Sequence, residues 1–122
     1  MMDLNYVAAL VDSEGCLTFG FYYRDHGGTQ VFYPIAMVTN GRYDVLVELR
    51  QFGGNVYRRK PVANRKPAWD WRMQAQPVYP FLDLIKPYLR MKRAQADILL
   101  NANMENIDWS VAQIRQLNRR GC

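Results

Sequence analysis

The sequence predicts an α+β domain in which one antiparallel sheet carries its helices on a single face. Three observations predict it. A charge-free run, Tyr6-Val7-Ala8-Ala9-Leu10-Val11, ends abruptly in Asp12-Ser13-Glu14-Gly15. Two strand pairs follow, Leu17–Arg24 with Val31–Asn40 and Asn55–Lys60 with Ala68–Gln74, separated by a helical stretch over Arg42–Phe52. From Pro77 onward the chain reads mainly as helix. Strand pairs flanked by helices, without strict βα alternation, indicate an antiparallel sheet with one covered face.

The opening run is apolar all round, so its helix should be covered on more than one side. Adjacent Ala8 and Ala9 allow a second backbone to approach closely, as small residues do where helices cross tightly. Gly15 is a plausible stop. Leu17, Phe19 and Phe21 then alternate with Thr18, Gly20, Tyr22 and Arg24, the period of a half-buried strand. Asp25–Gln30 is a hairpin loop. The return strand to Asn40 contains Pro34, which suggests an edge or a bulge. Val45, Leu46, Leu49 and Phe52 recur at helical spacing until Gly53-Gly54. The third strand ends in Arg58-Arg59-Lys60, and Pro61–Pro67 is a basic loop. The fourth strand reads Trp69-Asp70-Trp71-Arg72-Met73, and its phase stays open because Trp and charged residues could take either face. A helix whose apolar side is supplied by Phe81, Leu82, Leu84 and Ile85 begins at Pro77 and is interrupted at Lys86-Pro87. Helices over Met91–Met104 and from Asp108 or Ser110 to about Asn118 follow, and Arg119–Cys122 is expected to be a frayed tail.

Sixteen basic against eleven acidic side chains leave the 122-residue chain at +5, enough for a single domain with an anionic partner. Nucleic acid is the first candidate and an acidic membrane surface the second. No apolar run is long enough to span a membrane, and no secretory leader is expected. Two cysteines permit one disulfide but do not suggest an oxidised framework. The single histidine, His26, excludes a histidine-rich zinc cluster and argues against a His-based nucleophile relay. Chemistry must come from carboxylates, basic groups and a hard cation held by oxygen. The sheet face away from the helices would carry Thr18, Tyr22, Arg24, Tyr33, Arg58, Lys60 and Arg72, a basic and aromatic mixture suited to phosphates and base edges of a duplex.

The stretch Val7-Ala8-Ala9-Leu10-Val11-Asp12-Ser13-Glu14-Gly15 resembles the signature motif of the LAGLIDADG homing endonucleases. Alanine replaces the first glycine at 9, serine stands at 13, and glutamate replaces the last aspartate at 14. Farther on, Leu82 to Ala96 resembles the family segment that carries an active-site lysine, which places Lys92 at that position. The resemblance implies the α-β-β-α-β-β-α order with a saddle-like sheet, and a single endonuclease domain over 1–122. Glu14 becomes the metal ligand, with the Ser13 carbonyl beside it. Asn40 falls where the family places a polar residue near the catalytic water. Arg42 is the candidate further basic group, although the family's arginine aligns nearer Asp44. Asp12 is expected to fix the helix end.

One motif copy implies a homodimer on a long pseudo-palindromic DNA site, with Val7, Ala8, Ala9, Val11 and Asp12 in the interface. The implied cofactor is Mg²⁺, with Mn²⁺ as a substitute and Ca²⁺ supporting binding without cleavage; no organic cofactor and no membrane are expected. Such proteins are encoded in mobile elements such as introns and work inside the cell beside their DNA; the host element stays open. The alternatives are a non-cleaving relative, an RNA maturase or a transcription regulator, and a plain protein-interaction domain that dimerises through the apolar helix. Salt-dependent binding without divalent metal would mark the first, and no retention on duplex DNA the second.

Overall fold

A computed structural model describes residues 2–121. The elements are α1 (Leu4–Glu14), β1 (Gly15–Tyr23), β2 (Gln30–Asn40), α2 (Tyr43–Glu48), β3 (Asn55–Arg58), β4 (Trp69–Gln74), α3 (Val78–Ile85), α4 (Arg93–Asn101) and α5 (Ile107–Leu117). Short 3-10 turns, Leu49–Phe52 and Lys86–Tyr88, extend α2 and follow α3. The four strands form one antiparallel sheet in the order β1-β2-β4-β3. This is the predicted α+β architecture, with the expected order of elements.

Asp3 opens α1 by accepting the Asn5 N–H on its side chain, as an N-cap does. The helix does not unwind into a loop. Gly15 is at once its cap and the first residue of β1, and its N–H still donates to the Val11 carbonyl. Its φ of −99° is one any residue adopts; glycine is required here by proximity. A Cβ at this position would lie 2.5 Å from the Val11 carbonyl oxygen. The tight junction lets a helix end and a strand start share one point under the sheet.

Period-two alternation divides the sheet into two faces. Leu17, Ala36, Val38, Trp71 and Met73 belong to one buried core with Val7, Ala8 and Val11 of α1, Leu46 and Leu49, and Phe81, Leu82 and Ile85 of α3. The Trp71 ring packs 5.2 Å from that of Phe81, and its Nε1–H donates to the Gly53 carbonyl at 2.9 Å. A buried indole N–H without a partner would cost about 1–3 kcal/mol, so the Gly53 turn and Trp71 are mutually required. Pro34 does not lie on a sheet edge, because β2 is central. It is tolerated because β4 pairs with β2 only from Ile35 onward, so at Pro34 the chain has β1 alone beside it. Its carbonyl accepts the Ala75 N–H where β4 turns away.

The register resolves the phase of the fourth strand. Trp69 and Trp71 face the helices, and Asp70 and Arg72 face outward. Tyr57 is opposite Asp70, while Arg58 is opposite Trp69. Arg58, expected on the open face, is therefore on the helix side, and Arg59 takes the open side. Arg24 and Lys60 lie beyond the strand ends. At the far end, Asn118 ties the cap of α5 to β1 by donating to the Leu17 carbonyl. Arg119 and Gly121 return N–H bonds to Gln116 and Asn118, so the segment before Cys122 is a turn; Cys122 itself lies outside the described residues.

Candidate active site and nucleic-acid face

Glu14 stands at the last position of α1, exposed, where the helix becomes β1. Asn40, the last residue of β2, points at it. Its Nδ2 lies 3.0 and 2.9 Å from the two Glu14 oxygens, and its Oδ1 accepts the Arg42 N–H at 2.8 Å. Sequence neighbours could not have shown this pairing; it exists because Gly15 pairs with Val38, which brings the two strand ends together. The amide thus orients the carboxylate without neutralising it.

Asp12 is buried, 8% exposed, and its carboxylate accepts three backbone N–H groups: Arg90 at 2.8 Å, Met91 at 3.1 Å and Lys92 at 2.9 Å. It fixes more than its own helix end. It anchors the turn that opens α4, where backbone donors would otherwise be unpaired. Lys92 is itself only 6% exposed, and its Nζ donates to the Asp12 carbonyl at 2.9 Å. The Lys92 amine is therefore held two residues from Glu14, on the backbone of the same helix end. Burial pushes the Lys92 ammonium below its ordinary range, and the neighbouring Asp12 charge pushes partly back.

Arg42 is placed differently. Its guanidinium forms an exposed pair with Asp44 at 2.8 Å, which raises the Arg42 pKa and lowers that of Asp44. The residue joins the site through its backbone bond to Asn40, while its side chain is engaged elsewhere. The Ser13 hydroxyl donates to the Ala9 carbonyl at 2.7 Å, so the side chain is turned back along the helix. Among the described residues no group of three or more His, Cys, Asp or Glu is arranged to hold a metal. One exposed carboxylate per chain with a nearby backbone carbonyl is too little for an all-protein cage. It fits a cation such as Mg²⁺, which keeps its waters and takes one or two carboxylates together with phosphate oxygens.

Of the residues expected at a dimer interface, Val7, Ala8, Val11 and Asp12 are consumed by the chain's own interior, Ala8 with no exposure at all. Only Ala9 is accessible, and it lies on an exposed stripe with Tyr6 and Ser13 at helical spacing.

The open sheet face brings together Thr18, Tyr22, Tyr33 and Arg72 as expected, and adds Asn55, Tyr57 and Asp70 from the register and Arg59. The Tyr33 ring lies across Gly20, where a Cβ would approach Tyr33 Cζ to 2.5 Å, and it neighbours the Tyr22 ring at 6.2 Å. Beside the face, the β3–β4 loop borders a cleft of about 490 Å³ lined by Arg58, Arg59, Lys60, Arg65 and Lys66. No helix of the described chain is long and apolar enough to cross a membrane.

No protein-family model and no curated protein sequence matches the chain. Solved structures do. The homing endonuclease I-CvuI, crystallised with target DNA in the presence of Mg with the DNA not cleaved, superposes with a TM-score of 0.67 at 20% identity, over 96% of this chain and 78% of that one. The homing endonuclease I-TnaI gives 0.66 at 19% identity, over 98% and 88%. The I-SmaMI LAGLIDADG homing endonuclease bound to cleaved DNA gives 0.64 at 17% identity, over all of this chain (100%) and 44% of its own length. The fold is that of the LAGLIDADG homing endonucleases, and the chain corresponds to a little under half of I-SmaMI.

The geometry of Lys92 predicts a measurable titration. Followed by NMR of its side chain, Lys92 should lose its proton below the usual lysine value of 10.5. Between the folded value and 10.5 the unfolded chain then binds more protons, so stability rises with pH across that window. Lys92→Met should remove this slope. A Lys92 midpoint at or above that of an exposed lysine would contradict the burial described.

Proposed function

We propose that the chain is a site-specific endonuclease for double-stranded DNA, acting as a homodimer with a divalent metal. The observation that carries this reading is the α1–β1 junction: an exposed Glu14 carboxylate oriented by Asn40, with the buried Lys92 amine held on the Asp12 carbonyl. The LAGLIDADG fold, found in structures bound to DNA, supports it.

In this reading the open face lies in the groove, with Tyr22 and Tyr33 near base edges and Thr18, Arg72 and the loop basics, including Arg24 and Lys60, toward bases or phosphates. Arg58, on the other side, would contribute only from the loop cleft. Glu14, with the Ser13 carbonyl, would hold Mg²⁺, which when bound turns water into a nucleophile and stabilises the leaving oxygen. Asn40, by donating to both carboxylate oxygens, would fix the orientation of Glu14 toward the metal. Lys92 supplies positive potential at the attacked phosphate and orients water from a partly dehydrated position, where charge acts more strongly. Arg42 would leave Asp44 for a backbone phosphate. The protein would act in whichever compartment holds its DNA.

A single chain carries one such carboxylate, and cutting two strands takes two sites. The exposed stripe of Tyr6, Ala9 and Ser13 provides the contact for a second copy, with Ala9 small enough for the helices to cross closely. Ala9→Arg should place like charges at the axis and move the sedimenting species from dimer to monomer, with the melting of the monomer little changed. Wild-type protein that stays monomeric at micromolar concentration, with and without its DNA, would contradict the dimer.

The nuclease reading is tested by recovering cleaved sites from a randomised duplex library in Mg²⁺ and following single turnover on the recovered site. Glu14→Gln should cut slower by orders of magnitude while binding in Ca²⁺ stays similar or tightens, as repulsion between carboxylate and phosphate is relieved. Lys92→Met should cut slower than wild type but faster than Glu14→Gln. Undiminished cleavage by Glu14→Gln would sink the mechanism. A wild-type protein that binds tightly and cuts nothing would be the non-cleaving module.

A further inference from the structure

Among its cations the open face carries one acid, Asp70, in defined surroundings. Asp70 on β4 stands directly opposite Thr39 on β2 and Tyr57 on β3. Thr39 Oγ1 donates to Asp70 Oδ1 at 2.5 Å, and Arg59 Nε lies 3.5 Å from Asp70 Oδ2. Arg59 is two residues beyond Tyr57, which makes it the diagonal neighbour of Asp70 on the same face. Its own N–H donates to the Ala68 carbonyl at 2.9 Å, so the backbone register continues past the end of β3 and holds Arg59 in place.

A carboxylate on a surface that meets a polyanion weakens binding at every sequence alike. Phosphate attraction alone would be better served by Arg59 without Asp70. The pair makes sense when orientation matters more than charge. Arginine has five N–H donors in a rigid fork. With Nε turned to Asp70, the paired Nη donors remain at the tip of a side chain that is 55% exposed, while Asp70 is only 22% exposed. That pair of donors matches O6 and N7 of guanine in the major groove. Thr39 occupies the other carboxylate oxygen and prevents Asp70 from turning away. Asp70 thus favours one arrangement of the Arg59 side chain before any ligand arrives, which lowers the ordering cost of a specific contact.

We propose that Arg59 reads a guanine in the bound duplex, with Asp70 as the residue that positions it and Thr39 as the residue that holds Asp70. This rests on the proposed use of the open face for duplex DNA. Arg59 touches the base in this account; Asp70 acts through Arg59.

The test is in vitro selection of duplexes randomised across the bound site, in Ca²⁺ at about 150 mM salt, by the wild type, Arg59→Ala, Arg59→Lys and Asp70→Asn. The wild type should select guanine at one position of each half-site, by about 5- to 100-fold over other bases. Arg59→Ala should lose that preference and keep the others. Arg59→Lys retains the charge but not the fork, and should lose it too. Asp70→Asn should relax the same position while holding or raising affinity for random duplex, a combination that general damage to the fold would not produce. An even loss of affinity across all sequences in Arg59→Ala, with the salt slope lower by about one, would make Arg59 a phosphate contact and overturn the proposal. An unchanged preference in Asp70→Asn would overturn the role of Asp70. Failure of the wild type to bind any duplex would overturn the DNA-binding reading together with this one, whereas an Arg59→Ala variant that selects the wild-type sequence overturns this one alone.

Discussion

The Asp12 carboxylate on the backbone of Arg90, Met91 and Lys92 is the constraint on which the rest of the arrangement depends. A buried carboxylate is costly unless its oxygens are satisfied, and backbone N–H groups opening a helix are suitable partners. Meeting that requirement ties the end of α1 to the start of α4 across most of the sequence. It also places Lys92 where its amine donates to the Asp12 carbonyl at the end of α1. Gly15 adds the second fixed point, because no side chain fits between its backbone and Val11. Between these two points the backbone of Glu14 is fixed, and Asn40 meets its exposed carboxylate because of how β1 and β2 are paired.

The same features explain a division of labour between neighbouring residues. Asp12 and Lys92 are buried and satisfied, so they are part of the fold. Glu14 and Arg42 are exposed and make few demands on the core. The Arg42–Asp44 pair is exposed to water, where such pairs add little stability. The open sheet face follows a similar logic. Its inward neighbours, Trp69, Trp71 and Val56, fix the strands, and the outward residues are left free to specialise.

How much of this the sequence disclosed depends on the kind of pattern each residue belongs to. The α1–β1 junction was legible because a charge-free run meets Asp12-Ser13-Glu14-Gly15 and then a strand of period two. The order of elements was legible for the same reason, with glycines and prolines at the breaks. The phase of β3 was not. Tyr57, Arg58, Arg59 and Lys60 are all outward-tolerant, and a shift of one residue exchanges the faces. Only Val56 packed beside Trp71 decides it, and that contact becomes visible once the register is known. Ala8 and Ala9 were indistinguishable because a uniformly apolar helix has no direction; the core took Ala8 and left Ala9. Lys92 was found through a family resemblance. Its anchor, Asp12, lies 80 positions away and has no local signature.

The claim at the centre of this account is that one carboxylate holds Lys92 in place beside Glu14. Its most direct test is single-turnover cleavage of the recovered site by Asp12→Asn, Lys92→Met and the double variant, each at saturating protein. If Asp12 holds Lys92 for the reaction, Asp12→Asn slows cleavage to about the level of Lys92→Met, and the double variant is no slower than either. Wild-type cleavage by Asp12→Asn, or losses that multiply in the double variant, would contradict it.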